Sequence, residues 1–134
     1  MIMSSVFIDT GAFYAALNKK DKHHRKTKEF FLNFPRKRLT LVTSNFVVAE
    51  THALLLNRVG REIASLWLQS IPTTIIRASE EDEDKAKEII LLHKDKDFSY
   101  CDALSFSIIE RLSIKQVLSF GKHFRHYGKF NFIY

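Results

Sequence analysis

Three acids in this chain stand where solvation alone does not explain them. Asp9 follows directly on the apolar run Val6-Phe7-Ile8, Glu50 lies in the second turn of a strongly apolar segment, and Asp102 sits at the front of another. Two carboxylates ~5 Å apart repel by roughly 3 kcal/mol at an effective dielectric of 20. A cluster of three therefore either holds a proton or holds a cation. Oxygen donors without a Cys or His ligand pattern suit hard ions, so Mg²⁺ or Mn²⁺ is the expected class. Each acid also has a plainer reading. Asp9 or Thr10 can cap the next helix, Asp102 can close a capping box with Ser99, and Glu50 can face water. Whether the three meet depends on the elements that carry them.

Those elements alternate. Val6–Ile8 is an apolar, β-prone run that passes through Asp9, Thr10 and Gly11 into helical spacing at Phe13, Ala16 and Leu17, the entry to a βαβ unit. The spacing predicts a second helix over Asp21–Asn33, stopped by Pro35, because proline disfavours the α conformation in the residue before it. Leu39–Thr43 reads as a buried strand, and Ser44 as the N-cap of a helix over Asn45–Asn57. After Gly60, Arg61–Ser70 places Ile63, Leu66 and Trp67 on one packing face. Thr73–Arg77 is the third strand. Ser79 to Asp82 and Ser99 to Asp102 both match the capping-box pattern, opening helices over Glu80–His93 and Cys101–Leu112. The acidic run 80–83 suits a helix N-terminus and reads as structural. Gln116–Phe120 and Asn131–Tyr134 complete five strands, with a short helix at Lys122–His126 between them. Such alternation predicts a three-layer α/β/α sandwich with a parallel sheet of about five strands, in a single domain over 1–134. In that class ligands bind beyond the carboxyl ends of the strands, where Asp9 falls.

Composition narrows the class. At 134 residues, 46% hydrophobic and 27% charged, the chain has the make-up of a soluble domain with a real core. No apolar run approaches a membrane span and no secretory signal is visible, and the single cysteine, Cys101, fits a reducing compartment; a cytoplasmic, membrane-free protein is expected. The net charge of +6 is concentrated in Lys19–Lys28, Arg36–Arg38 and Lys122–Lys129, a pattern that suits a polyanionic partner such as nucleic acid and equally a solvated face that keeps the domain soluble. Cys101 has no base to activate it and reads as a packing residue. The histidines at 23, 24, 123 and 126 lack a completing ligand set and read as surface residues. A phosphoacceptor receiver domain also ends a strand on an aspartate, but it needs an adjacent acidic pair that the first strand does not supply.

FIDTGAFYAAL, SNFVVAETHALL, DFSYCDALSFSIIE and VLSFGKHFRHYG resemble, in that order and over nearly the whole chain, the motifs of the PIN-domain nucleases, and within them the VapC-type toxins of prokaryotic toxin–antitoxin modules. The resemblance implies a five-stranded parallel sheet and a divalent-metal endoribonuclease, with Asp9, Glu50 and Asp102 on the family's metal-binding, catalytic carboxylates. It also implies RNA as substrate, a small antitoxin as partner and, with the high aromatic content, a homodimer. In the last motif the family carries an aspartate where this chain has Gly121. Asp97, Ser119 or water are the candidates to fill that place. Thr10 and Ser44 are supporting candidates, as partners of metal-bound water, in competition with turn and cap roles. The departure at Gly121 motivates an alternative: a weak or inactive PIN domain that binds RNA or a partner.

Overall fold

Five parallel strands form the centre of the molecule in the order β3-β2-β1-β4-β5. The computed structural model describes residues 4–134. In it β1 is Ser4–Ile8, β2 Leu39–Ser44, β3 Thr74–Ile76, β4 Gln116–Leu118 and β5 Asn131–Phe132. β1 is flanked on both edges, with Phe7 opposite Val42 of β2 and Val117 of β4. Its residues Val6, Phe7 and Ile8 are fully buried, as an unbroken apolar run must be when helices cover both faces.

The helices are α1 Thr10–Leu17, α2 His24–Asn33, α3 Asn45–Arg58, α4 Arg61–Gln69, α5 Glu80–Leu92, α6 Tyr100–Arg111 and α7 Lys122–Tyr127. From β1 the chain moves outward through β2 to β3, then returns past β1 to β4 and β5. Right-handed crossovers on such a path place α1–α4 on one face and α5–α7 on the other. The packing agrees: α1 lies on α2 and α3, α3 on α4, α5 on α6, and α6 on α7. α3 also meets α6, so the two layers touch each other as well as the sheet. The loops after β1 and β4 leave neighbouring strands for opposite faces, and this divergence opens the crevice that α/β sheets use for ligands.

The expected helices and strands are present, with informative departures. Ser44 caps α3 by accepting from the Val47 amide at 3.1 Å. Both capping boxes form, at Ser79 and Asp82 and at Ser99 and Asp102. The second helix begins at His24 rather than Asp21, because Asp21 Oδ1 accepts from the His23 amide at 2.8 Å and makes a turn. Pro35 does not force its predecessor out of the α region: Phe34 has φ −59 and ψ −34, and Phe34–Lys37 continues as a 3-10 turn. The chain reverses instead at Arg38, which is left-handed at φ 55. On α4, Trp67 packs inward, but Leu66 is 54% exposed and Ile63 is at the surface, so that face is only partly covered. Among the described residues no helix is long and apolar enough to cross a membrane.

Candidate active site

Asp9 is held at the carboxyl end of β1. Its amide donates to Leu118 O at 3.1 Å, stitching the ends of β1 and β4 together. Its backbone is extended, at φ −90 and ψ 164, and its side chain makes no cap to α1. Instead, Ser119 Oγ donates to Asp9 Oδ2 at 2.9 Å, while the Gly121 amide donates to Ser119 Oγ at 3.1 Å. β4 therefore ends at Leu118 rather than Phe120. Ser119, fully enclosed, has left the ladder to orient the carboxylate.

Neighbouring layers fix the remaining pieces. Thr43 Oγ1 donates to Ile8 O at 2.7 Å, locking β2 to the strand end beside Asp9. Thr51 Oγ1 donates to the buried Thr10 Oγ1 at 3.3 Å, which ties α3 to α1 one residue after Glu50. Asn45 Oδ1 accepts from the Ala78 amide at 3.0 Å and fixes the start of α3. The ring of Tyr100 meets Phe46 edge-on at 5.8 Å, and its hydroxyl donates to Glu83 Oε1 at 2.8 Å. Tyr100 thus joins the first turn of α6 to α3 and α5, and Asp102 is carried with that turn. Nothing in the sequence singled Tyr100 out; an aromatic at the first position of a capped helix was its only signal.

The electrostatics show which acids share a space. Burial is the largest influence on Asp9 and pushes its carboxyl up to about 7; the negative charges of Asp102 and Glu50 push the same way, against the Ser119 hydroxyl and the Thr10 amide. The charges of Glu50, solvent-exposed on α3, and Asp102, half-buried on α6, are thus felt at Asp9. Among the described residues no group of three or more His, Cys, Asp or Glu side chains is arranged closely enough to hold a metal ion. Asp102 keeps its capping bond as well, accepting from the Ser99 amide at 3.2 Å. Cys101, between the layers, has its thiol pushed up by burial first and then by Glu50, Asp9 and Asp102, so it stays protonated and is no nucleophile.

The supporting candidates divide. Ser119 is the direct partner of Asp9. Ser44 is fully buried and spends its hydroxyl on the α3 cap. Thr10 is buried against Thr51. Asp97 is exposed in the 93–99 connection and is not among the charges acting on Asp9. At Gly121 a Cβ would lie 3.8 Å from Asp9 Oδ2 and 3.5 Å from Ser119 Oγ, ordinary contact distances, so the missing side chain leaves room beside Asp9.

The donor chemistry fits a hard divalent cation: oxygen ligands only, and one carboxyl raised by burial and, to a lesser degree, by neighbouring acids whose charge a cation would relieve. Residues 6–130 match the PIN domain. The chain belongs to the PIN-domain family. It is 30% identical over 127 residues to the 23S rRNA-specific endonuclease VapC20 of Mycobacterium tuberculosis, a match covering 92% of this chain and 94% of that protein. The crystal structure of that VapC20, described as a Sarcin-Ricin loop cleaving toxin, superposes with a TM-score of 0.82 at 26% identity, over 92% of this chain and 95% of that one. VapBC2 from Rickettsia felis, solved on a DNA fragment from its promoter, shares the fold at a TM-score of 0.69 and 18% identity, covering 96% of each chain. FitAcB from Neisseria gonorrhoeae does so at 0.65 and 11%, again over 96% of each. The PIN fold accounts for the strand order, and for the return of the chain past β1 that puts Asp9 and Ser119 side by side.

Proposed function

We propose that this chain, a single domain over residues 1–134, is a metal-dependent endoribonuclease that hydrolyses RNA phosphodiester bonds and serves as the toxin of a toxin–antitoxin pair. The observation that carries the reading is the Asp9 carboxyl, half-buried at the end of β1, held by the Ser119 hydroxyl at 2.9 Å, and raised by desolvation first and then by the charges of Asp102 and Glu50. Asp9, Glu50 and Asp102 would hold Mg²⁺ or Mn²⁺, with the flexible Glu50 side chain turning in from solvent. Such an ion lowers the pKa of bound water and stabilises charge on the phosphate under attack. The chain's own contribution is orientation. Ser119 fixes which Asp9 oxygen is presented, and the α3–α6 contact sets the span between the other two acids. Lys122 and Arg125 on α7, with Arg25 and Lys28 on α2, are exposed and supply the positive field that draws in an RNA backbone.

The similarity to VapC20, whose name specifies rRNA cleavage, supports RNA as the substrate. The VapBC2 neighbour supports a small antitoxin as partner. A groove of about 410 Å³ between α1, α2 and α4, with Leu32, Leu66 and Trp67 in its wall, offers that partner an apolar seat. We read the protein as cytoplasmic and homodimeric.

Gly121 favours a second reading, an RNA- or partner-binding PIN domain without catalysis, because one acid of the family pattern is absent. One assay separates the two. RNA incubated with the purified chain should be cut in Mg²⁺ or Mn²⁺, spared in EDTA, and spared by Asp9→Asn. Cleavage unchanged by EDTA would sink the metal mechanism; RNA binding with no products at high Mn²⁺ would establish the non-catalytic reading.

A further inference from the structure

Beside the acids lies a pair of rings that the cleavage reading does not use. Phe120 sits between Ser119, the partner of Asp9, and Gly121. The His23 ring stacks on it with centroids 3.9 Å apart and planes 7° from parallel. Both residues are half-buried, so the stack lies at the surface end of the core rather than inside it. We propose that the His23–Phe120 stack is a platform for one unstacked nucleobase of an RNA strand whose phosphate lies at Asp9; this rests on the RNA reading above.

The platform is rigid before any ligand arrives. The His23 amide donates to Asp21 Oδ1 at 2.8 Å, and the His23 carbonyl accepts from Thr27 Oγ1 at 2.7 Å. The next residue anchors the turn to α1, with His24 Nδ1 2.8 Å from Ala15 O. Phe120 is held through Ser119 on one side, where Arg125 donates to the Ser119 carbonyl at 3.3 Å. With the backbone under both rings fixed and the rings stacked on each other, less ordering is left to do on binding, which favours aromatic stacking as a recognition device. A cation stands at the edge: Lys26 Nζ is 5.3 Å from the Phe120 centroid and 5.1 Å from that of Tyr134. The Tyr134 hydroxyl also donates to the Lys26 carbonyl at 3.2 Å. Burial first, then Lys26, lowers the His23 pKa. A flat aromatic surface, a positive edge at Lys26, and Asp9 hydrogen-bonded to the residue next to Phe120 match a splayed single-stranded nucleotide. Such unstacked bases are what proteins read in RNA.

The test is equilibrium binding, kept apart from catalysis by working in EDTA. Fluorescence anisotropy is measured with a labelled single-stranded RNA of about ten nucleotides, and with a set of the same RNA carrying one abasic position at a time. For the wild type, one abasic position should weaken binding about tenfold, the scale of one stacked base. His23→Ala should weaken binding of the intact RNA to a similar extent and remove the penalty at that abasic position, whereas His23→Phe should retain both affinity and penalty. An abasic penalty that persists in His23→Ala, or His23→Ala binding every RNA like the wild type, overturns the proposal, as does a folded wild type that binds no RNA. Coupled losses in EDTA from a chain that never cuts RNA would keep the platform and discard the nuclease; cleavage without coupling would do the reverse.

Discussion

Asp82 and Asp102 begin from the same local chemistry and end in different charge environments. Each is the third residue after a serine that caps a helix, and each carboxylate returns a bond to the serine amide, at 3.0 Å for Asp82 and 3.2 Å for Asp102. Asp82 is 1% exposed and meets a cation: Arg111 Nε donates to its Oδ1 at 2.7 Å and Arg111 Nη2 to its Oδ2 at 2.9 Å. That guanidinium holds the Asp82 carboxyl below its usual range. Asp102 has no cation paired with it among the described residues, and its negative charge is felt at Asp9. A capping box places a carboxylate at a helix start. Whether that carboxylate is structure or site depends on the charge that the rest of the fold brings to it.

The largest effect expected from this contrast is on RNA cleavage. Asp102→Asn and Asp9→Asn should each reduce it by about 100-fold or more, since a metal-bound transition state loses several kcal/mol without its ligands. Asp82→Asn should leave turnover per folded molecule unchanged. A single-turnover assay on the three proteins decides it, and equal losses for Asp82 and Asp102 would erase the distinction.

Thermal stability should rank them the other way. Arg111→Ala leaves a buried carboxylate without its cation and should cost about 2–4 kcal/mol, the half-exposed guanidinium keeping it at the lower end of the range for broken buried pairs. Asp102→Asn removes only a cap acceptor and should cost about 1 kcal/mol or less. Because Asp82 is held low, its contribution is present above the ordinary aspartate pKa and is lost as pH falls below it. A Tm series from pH 7 down to 3 should therefore show Arg111→Ala converging on the wild type at acid pH.

Asp9 carries the opposite sign. Its carboxyl is raised to about 7, so the folded state holds a proton that the unfolded state has released between about pH 4 and 7, and stability falls as pH rises through that window. Asp9→Asn should accordingly raise Tm at pH 8 in EDTA. A divalent ion needs the ionised form, so Mg²⁺ should raise the wild-type Tm clearly at pH 8 and hardly at pH 5.5. Equal Mg²⁺ stabilisation at both values would disconnect the ion from Asp9.

The smallest change is at Gly121. The backbone there has φ −76 and a Cβ meets nothing closer than 3.5 Å, so Gly121→Asp fits without strain. It should tighten Mg²⁺ binding in calorimetry and lower Tm in EDTA, where a further acid only adds repulsion. Equal or weaker Mg²⁺ affinity would show that water does not stand in for that side chain.

Much of this was legible along the chain, because it is local. Apolar runs ending in small polar residues marked the strands, and serine followed three residues later by aspartate marked two helix starts. What escaped depends on meetings between distant segments. Asp82 reads as one of four acids until Arg111 arrives from the far end of α6. Ser119 reads as a strand residue until β4 lies beside β1, and His23 as a surface residue until Phe120 comes under it. Leu66 and Trp67 show the same limit, since helical spacing puts them on one face but cannot say that α2 leaves part of it open. At Phe34 a local rule gave way because the 3-10 turn satisfies its backbone and the reversal is deferred to Arg38.

The central claim is that Asp9, Glu50 and Asp102 bind one hard ion between the two helical layers. Mn²⁺ titration followed by electron paramagnetic resonance tests it without RNA and without turnover. The wild type and Asp82→Asn should bind Mn²⁺ alike, while Asp9→Asn, Glu50→Gln and Asp102→Asn should each weaken binding by about tenfold or more, at least what loss of an outer-shell partner costs a metal site. Mn²⁺ bound with wild-type affinity by Asp9→Asn would contradict the account.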